Sequence, residues 1–134
     1  MPVRLLSSST LTWPDAQQVD AAFRRWIESE LRRRGGVLCA GYFGSYARGD
    51  WGVGSDLDVV LIVDWSELPF QRRPLEWETT ALPVPMDLLV YTADEWRRLD
   101  PASRFARTLA AETVWVYERA VRMCSGSEAD QLLP

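Results

Sequence analysis

Two apolar runs separated by a glycine-rich loop constrain the fold of this chain more than any other feature. Val37–Phe43 and Leu57–Val63 are short apolar runs of the kind that is typical of buried strands. The segment between them, residues 44–54, has four glycines in eleven positions and predicts a loop. A third strand is predicted within residues 83–92. Strands interleaved with helices indicate an α/β (α+β) fold, a small mixed β-sheet with flanking helices.

Capping signals predict where the helices begin. Asp15, with Gln18 three residues on, begins a helix whose apolar stripe continues until the Gly35–Gly36 pair ends it. The arginine run 32–34 lies at the C-terminus of that helix, where cations complement the helix dipole. A second capping box over residues 92–95 begins another short helix.

The rest of the chain is less regular. A short helix is predicted near residues 75–82. Asp100 followed by Pro101 is typical of an N-cap with proline at the first helical position, so a helix is predicted from there. Residues 114–117 are either a last strand or the continuation of that helix to Met123. The 134 residues predict a single domain spanning 1–134, with a core over about 15–120 and flexible ends, the lead 1–13 and the tail 125–134.

The composition of the basic residues excludes several classes of enzyme. The chain has no His and no Lys, so all 15 basic residues are Arg. A Ser-His-Asp or Cys-His nucleophile, a Schiff-base lysine, a P-loop and a His-ligated zinc site are therefore excluded. Reactive groups must come from carboxylates, hydroxyls, arginines or a bound metal ion.

Charge and cysteine content set the expected environment. A net charge of −4 disfavours direct nucleic-acid binding, which needs clustered positive charge. No apolar run has the length of a signal peptide or of a membrane span. Cys39 and Cys124 are far apart in sequence, and we interpret both as reduced thiols of a cytoplasmic protein, with a disulfide between them as the alternative.

Three acidic residues are candidates for a cation site. Asp56 and Asp58 lie two residues apart at the start of a predicted strand, so their carboxylates project from one face. Asp87 lies inside an apolar strand, where a buried carboxylate needs a partner, either an Arg or a metal ion. Three carboxylates on one sheet face suit Mg²⁺. The alternatives are that Asp56 caps the loop and that Asp87 faces water from an edge strand.

The glycine loop adds an anion site and a recognisable signature. Gly44 and Ser45 directly follow a strand, and backbone amides with a serine hydroxyl at such a position bind phosphates. Ten residues separate this pair from Asp56-x-Asp58, and Asp87 follows on a later strand. The pattern resembles that of the polymerase-β-like nucleotidyltransferase superfamily. It is most similar to the minimal nucleotidyltransferases, in which Gly-Ser-x-Ala-Arg-Gly and Ser-Asp-x-Asp are typical.

This resemblance implies a palm-like core with a two-metal site. Asp56, Asp58 and Asp87 would be the catalytic residues and would hold two Mg²⁺ ions, with Mn²⁺ as a substitute. Asp87 would accept the proton of the attacking hydroxyl, since the chain has no histidine.

The resemblance also implies the nucleotide site and the reaction. Gly44 and Ser45 would hold the β- and γ-phosphates of ATP, and Arg48 would bond either loop carbonyls or a phosphate. The reaction would move AMP from ATP to a hydroxyl and release pyrophosphate.

The minimal nucleotidyltransferases imply a partner. They typically occur beside a HEPN-domain protein that acts as a toxin, and some of them neutralise it by AMPylation of a tyrosine. A protein adenylyltransferase acting as antitoxin is therefore the leading hypothesis, and it allows a homo- or hetero-oligomer. One alternative is an antitoxin that masks the HEPN protein by contact alone, with Trp51 and Trp65 as candidate exposed aromatics. Another is a small-molecule nucleotidyltransferase that acts as a homodimer.

Overall fold

A computed structural model describes residues 13–125. The flexible lead and tail predicted at the two ends lie outside this range except for Trp13 and Ser125. The elements follow in the order α1 Ala16–Arg33, β1 Val37–Phe43, α2 Ser45–Arg48, β2 Leu57–Val63, a 3-10 helix Phe70–Glu76, β3 Met86–Thr92, α3 Ala93–Arg97, α4 Arg104–Glu112 and β4 Val114–Glu118.

The four strands form one mixed sheet in the order β3-β2-β1-β4. β1 is antiparallel to both β2 and β4, whereas β2 and β3 are parallel. The mixed sheet with flanking helices is confirmed, and β1 and β2 have the bounds that their apolar runs predict. Of the two alternatives for residues 114–117, the strand is the correct one, because a run of Val, Trp, Val and Tyr packs well beside β1.

Helix α1 covers one face of the sheet. Its capping box is formed as predicted: Asp15 Oδ1 accepts from the Gln18 amide, and Gln18 Oε1 accepts from the Asp15 amide, both at 2.8 Å. Its buried stripe contains Val19, Phe23, Trp26, Ile27 and Glu30. The apolar members of that stripe pack on alternate residues of β1 and β2 to form the main core. Within residues 13–125, none of the helices combines the length and the apolar character of a membrane-spanning segment.

The connection from β2 to β3 differs from the prediction. The helix expected near 75–82 is wrong, since the helical segment is the earlier 3-10 helix Phe70–Glu76. It is fixed by Arg73, a buried guanidinium that binds both carboxylate oxygens of Glu95, at 2.6 and 3.0 Å, and the carbonyl of Val90. Glu95 and Val90 lie on later elements of the chain, so no local sequence pattern predicts these contacts.

The start of α4 also differs from the prediction. Asp100 and Pro101 lie in a turn, and the helix begins at Arg104. Its N-cap is Ser103, whose hydroxyl accepts from the Ala106 amide at 3.1 Å. The Asp100 carboxylate accepts an amide within the turn instead, a local bond that competes with helix initiation.

The interpretation of the two cysteines as reduced thiols is wrong. Cys39 and Cys124 form a disulfide on the face of the sheet opposite α1. Strand β4 pairs with β1 so that Glu118 lies beside Cys39, and the chain then folds back over the sheet. The Glu118 carboxylate fixes this return by accepting from the amides of Cys124 and Ser125, at 2.8 and 2.7 Å. The two cysteines are 85 residues apart in sequence, so the sequence alone did not predict that they lie close together in space.

Candidate active site

The parallel pairing of β2 with β3 brings two of the predicted acids together. Asp58 is the register partner of Asp87, and partners in neighbouring strands project from the same face. Asp56 immediately precedes β2. Asp58 is half-buried, whereas Asp56 and Asp87 are exposed. The three candidate acids therefore lie at one end of the sheet, where β2 and β3 both begin.

The expectation that Asp87 is buried is wrong. Its strand, β3, is an edge of the sheet, and its side chain is exposed. The apolar neighbours Met86 and Leu88 belong to the opposite face and pack in the main core, so they do not enclose the carboxylate. Because Asp87 faces water, a substrate hydroxyl can approach it.

Like charges converge on Asp58. Burial is the largest of the effects that raise the pKa of its carboxyl, followed by the negative charges of Asp87 and Asp56. Glu112 adds a smaller effect in the same direction, and the positive charge of Arg48 opposes it. Within residues 13–125, none of the three aspartate carboxylates has a hydrogen-bond donor or an ion-pair partner. A cation would relieve this repulsion.

The glycine loop begins directly against the Asp58 carboxylate. Phe43, the last residue of β1, is the register partner of Asp58, and Gly44 follows it. Gly44 has φ +81°, and a Cβ built there would overlap a carboxylate oxygen of Asp58. Only glycine allows this approach, since any side chain would meet both the strained backbone and the acid.

The loop after Gly44 is held by short-range bonds. The amides of Ala47 and Arg48 both donate to the Gly44 carbonyl, at 3.0 and 2.9 Å, which forms the single turn of α2. The first amides of such a turn have no acceptor inside the helix. Tyr46 is buried and stacks on Trp51, with 5.5 Å between the centroids of the two rings. Trp51 therefore packs on the loop and is only half-exposed.

A second set of bonds fixes the approach to Asp56. Residues 52–55 form a turn in which the Ser55 hydroxyl accepts from the Gly52 amide at 2.8 Å. The amide of Leu57 then donates to the carbonyl of Pro85 at 2.8 Å, which continues the pairing of β2 with β3. Asp56 is thus placed between two anchored residues.

Arg48 binds carboxylates rather than the loop carbonyls that were one expectation for it. Its Nε donates to Asp50 Oδ2 and its Nη1 donates to Glu112 Oε1, both at 3.1 Å. The same Glu112 oxygen accepts from the Gly44 amide at 3.3 Å. Glu112 was not predicted as a site residue. One signal was available, since an acid in the last turn of a helix opposes the dipole and indicates an external partner.

The donor set suits a hard divalent cation completed by a ligand. Within the described part of the chain, no group of three or more acidic or thiol side chains is arranged so that it alone could hold a metal ion. Mg²⁺ usually takes one or two carboxylates and fills its other positions with water and substrate phosphates. The unpartnered oxygens of Asp56, Asp58 and Asp87 beside the glycine loop fit that mode of binding, and their role as ligands stays a prediction.

Comparison with known proteins shows the family to which the chain belongs. The model of the nucleotidyltransferase domain family matches residues 24–116, a range that contains the glycine loop and all three candidate aspartates. The chain belongs to this family. It is therefore a nucleotidyltransferase, as the resemblance carried by the Gly-Ser pair and the acids implies.

One relative and two solved structures are also similar to this chain. The chain is 34% identical over 92 residues to the protein adenylyltransferase MntA of Thermococcus cleftensis, and this alignment covers 66% of the chain and 84% of that protein. Its fold is similar to the crystal structure of a proposed nucleotidyltransferase from Sulfolobus solfataricus, with a TM-score of 0.57, 18% identity, and coverage of 78% and 84% of the two chains. A crystal structure of a toxin–antitoxin with AMP-PNP gives a TM-score of 0.51, 16% identity, and coverage of 81% and 78%.

Proposed function

We propose that this nucleotidyltransferase acts in the cytoplasm as an antitoxin, by moving AMP from ATP to a tyrosine hydroxyl of a partner HEPN-domain toxin. The observation that carries the proposal is the register pairing of Asp58 with Asp87 directly beside Gly44. The name of the Thermococcus relative, a protein adenylyltransferase, supports a protein acceptor. The likeness in fold to a toxin–antitoxin with a bound ATP analogue is consistent with the same role.

Nucleotide binding would use the start of the glycine loop. The amides of Gly44 and Ser45, the Ser45 hydroxyl and the exposed Arg48 guanidinium would bind the β- and γ-phosphates. Asp56, Asp58 and Asp87 would hold two Mg²⁺ ions. When bound, these ions would offset the negative charge of the triphosphate and of the attacking and leaving oxygens.

The exposed Asp87 would accept the proton of the acceptor hydroxyl. The tyrosine oxygen would form a bond to the α-phosphorus of ATP, and the bond from that phosphorus to the bridging oxygen of the β-phosphate would break. The proton would pass to a carboxylate oxygen of Asp87, and pyrophosphate would leave with the bonding electrons. Asp58 is less suited to this role because it lies further from solvent.

Intact-protein mass spectrometry tests the proposal. The chain would be incubated with ATP, Mg²⁺ and a HEPN-domain protein from the same source, and the HEPN protein should gain the mass of whole AMP units if it is the partner. Asp56→Ala should abolish the gain, and the modified residue should be a tyrosine. No mass gain, together with equal protection of cells by wild type and Asp56→Ala, would reject catalysis as the antitoxin activity.

The exposure of Trp65 favours contact alone as a second candidate function. This side chain is 65% exposed, whereas Trp26 and Trp77 are buried in the main core. A large aromatic surface of this kind is common at the centre of protein interfaces. A chain with both Asp56→Ala and Asp58→Ala would still protect cells and co-purify with the HEPN protein if masking were sufficient. It would lose protection if AMP transfer is required.

A further inference from the structure

Glu112 occupies the hydrogen-bond donors at the start of the glycine loop. Its Oε1 accepts from the Gly44 amide at 3.3 Å and from Arg48 Nη1 at 3.1 Å. An anionic oxygen with a backbone amide on one side and a guanidinium on the other is in the environment that proteins offer to a phosphate oxygen. The carboxylate therefore stands in for such an oxygen.

The surroundings of Glu112 otherwise disfavour a carboxylate at this position. It is the last residue of α4, where the helix dipole places partial negative charge. The negative charge of Glu112 also acts unfavourably on Asp58. Its side chain is 23% exposed, and the Gly44 amide and Arg48 are the donors it uses within the described residues. Its position thus depends on two donors that a stronger anion can take over.

We propose that Glu112 is an internal competitor of the nucleotide, a carboxylate that holds the phosphate-binding donors until a triphosphate displaces it. This inference rests on the proposed function, because it takes Gly44 and Arg48 as ligands of the triphosphate. A triphosphate carries more negative charge than one carboxylate and brings its own divalent cations, so it competes effectively for both donors. Every ligand that must displace Glu112 meets the same cost, so the carboxylate lowers the apparent affinity of all such ligands by one factor.

Nucleotide affinity measured by isothermal titration calorimetry tests the inference. The probe is AMP-PNP with Mg²⁺, and no acceptor protein is needed. Glu112→Ala should bind the probe more tightly than wild type by at least about tenfold, the scale of one charge-assisted hydrogen bond. Glu112→Gln keeps an acceptor oxygen but loses the charge, so its affinity should lie between the two. ADP should gain no more from Glu112→Ala than AMP-PNP does, because removal of the competitor helps only a ligand that uses both donors, and helps each such ligand by the same factor.

Glu67→Gln is the matched control for charge. Glu67 is exposed and follows the opposite end of β2, so this change removes the same charge far from the loop. Its affinity for AMP-PNP should equal that of wild type. A gain in affinity argues against a purely structural role, and a smaller gain for Glu112→Gln than for Glu112→Ala distinguishes competition for the donors from the loss of a nearby negative charge alone.

The possible outcomes separate this inference from the proposed function. Equal or weaker binding of AMP-PNP by both Glu112 variants, with wild-type binding intact, would overturn the competitor role and leave the proposed function standing. Tighter binding without AMP transfer to the HEPN protein would support the competitor role and count against the proposed acceptor. Absence of binding in wild type and in both variants would overturn both.

Discussion

The two ends of the β1–β2 pair share one steric arrangement and differ in chemistry. At each end a glycine with positive φ lies against an aspartate carboxylate: Gly44 against Asp58 at one end, and Gly36 against Asp64 at the other. Asp64 is exposed and its Oδ1 accepts from the amide of Trp65 at 2.7 Å.

Asp58 has no donor among the described residues and faces other acids instead. The close glycine–aspartate contact alone therefore does not indicate a site. What distinguishes the Asp58 end is a carboxylate left without a partner. The Asp64 end provides a matched control within the same strand pair.

The largest difference is expected for AMP transfer by aspartate variants. Asp58→Asn removes a proposed metal ligand and should lower the rate of transfer at least about 10²-fold, the scale for losing one charge-stabilising group in an active site. Asp64→Asn keeps an acceptor oxygen for the Trp65 amide and should transfer AMP at nearly the wild-type rate. Radiolabelled ATP with the HEPN protein as acceptor measures both rates. Similar rates for the two variants would remove the functional distinction between the ends.

Replacing each of these two glycines with alanine should distinguish a change in the geometry of the site from the effect of backbone strain. Gly44→Ala forces the Asp58 side chain to turn away, because the carboxylate is the movable partner, and nucleotide binding should be lost. Gly36→Ala would displace Asp64 instead and should keep nucleotide binding. Both changes place alanine at positive φ, so each should destabilise the fold by about 1 kcal/mol or more.

Calorimetric titration with AMP-PNP and thermal unfolding measure these two effects. If Gly36→Ala lost binding as fully as Gly44→Ala, the loss would reflect strain rather than site geometry.

A smaller effect is expected in stability, with the opposite sign to the effect on activity. The folded state raises the pKa of Asp58 above its usual 3.8, so ionisation of this group opposes folding at higher pH. Asp58→Asn should therefore be more stable than wild type at pH 7, by no more than about 1 kcal/mol because water screens the half-exposed carboxylate.

The gain should shrink as pH falls through the raised pKa towards 3.8. Thermal unfolding over that pH range checks the expectation. A lower stability of Asp58→Asn at pH 7 would contradict the repulsion described for this end of the sheet.

The sequence predicts the local part of this arrangement well. The apolar runs of β1 and β2 and the capping box at Asp15 are short-range patterns, and the structure has them where the sequence places them. The Gly-Ser to Asp-x-Asp spacing is also local, so it correctly indicates the nucleotidyltransferase family.

What the sequence does not predict depends on long-range contacts. Arg73, in the 3-10 helix, is buried where it binds Glu95, which lies on a later element. The disulfide requires β4 to pair with β1 before Cys124 can reach Cys39. Glu112 lies 68 residues after Gly44 in sequence, and no periodic pattern predicts that the two residues are in contact. Each of these contacts depends on how the sheet assembles, and the residues nearby in sequence do not determine it.

Mn²⁺ binding shows whether the three aspartates form a metal site. Electron paramagnetic resonance would follow Mn²⁺ added to the full chain with AMP-PNP, for wild type, Asp58→Asn and Asp64→Asn. The proposed site predicts that wild type and Asp64→Asn bind Mn²⁺ with the same affinity and that Asp58→Asn loses this binding. Equal binding of Mn²⁺ by wild type and Asp58→Asn would contradict the assignment of the unpartnered aspartates as a metal site.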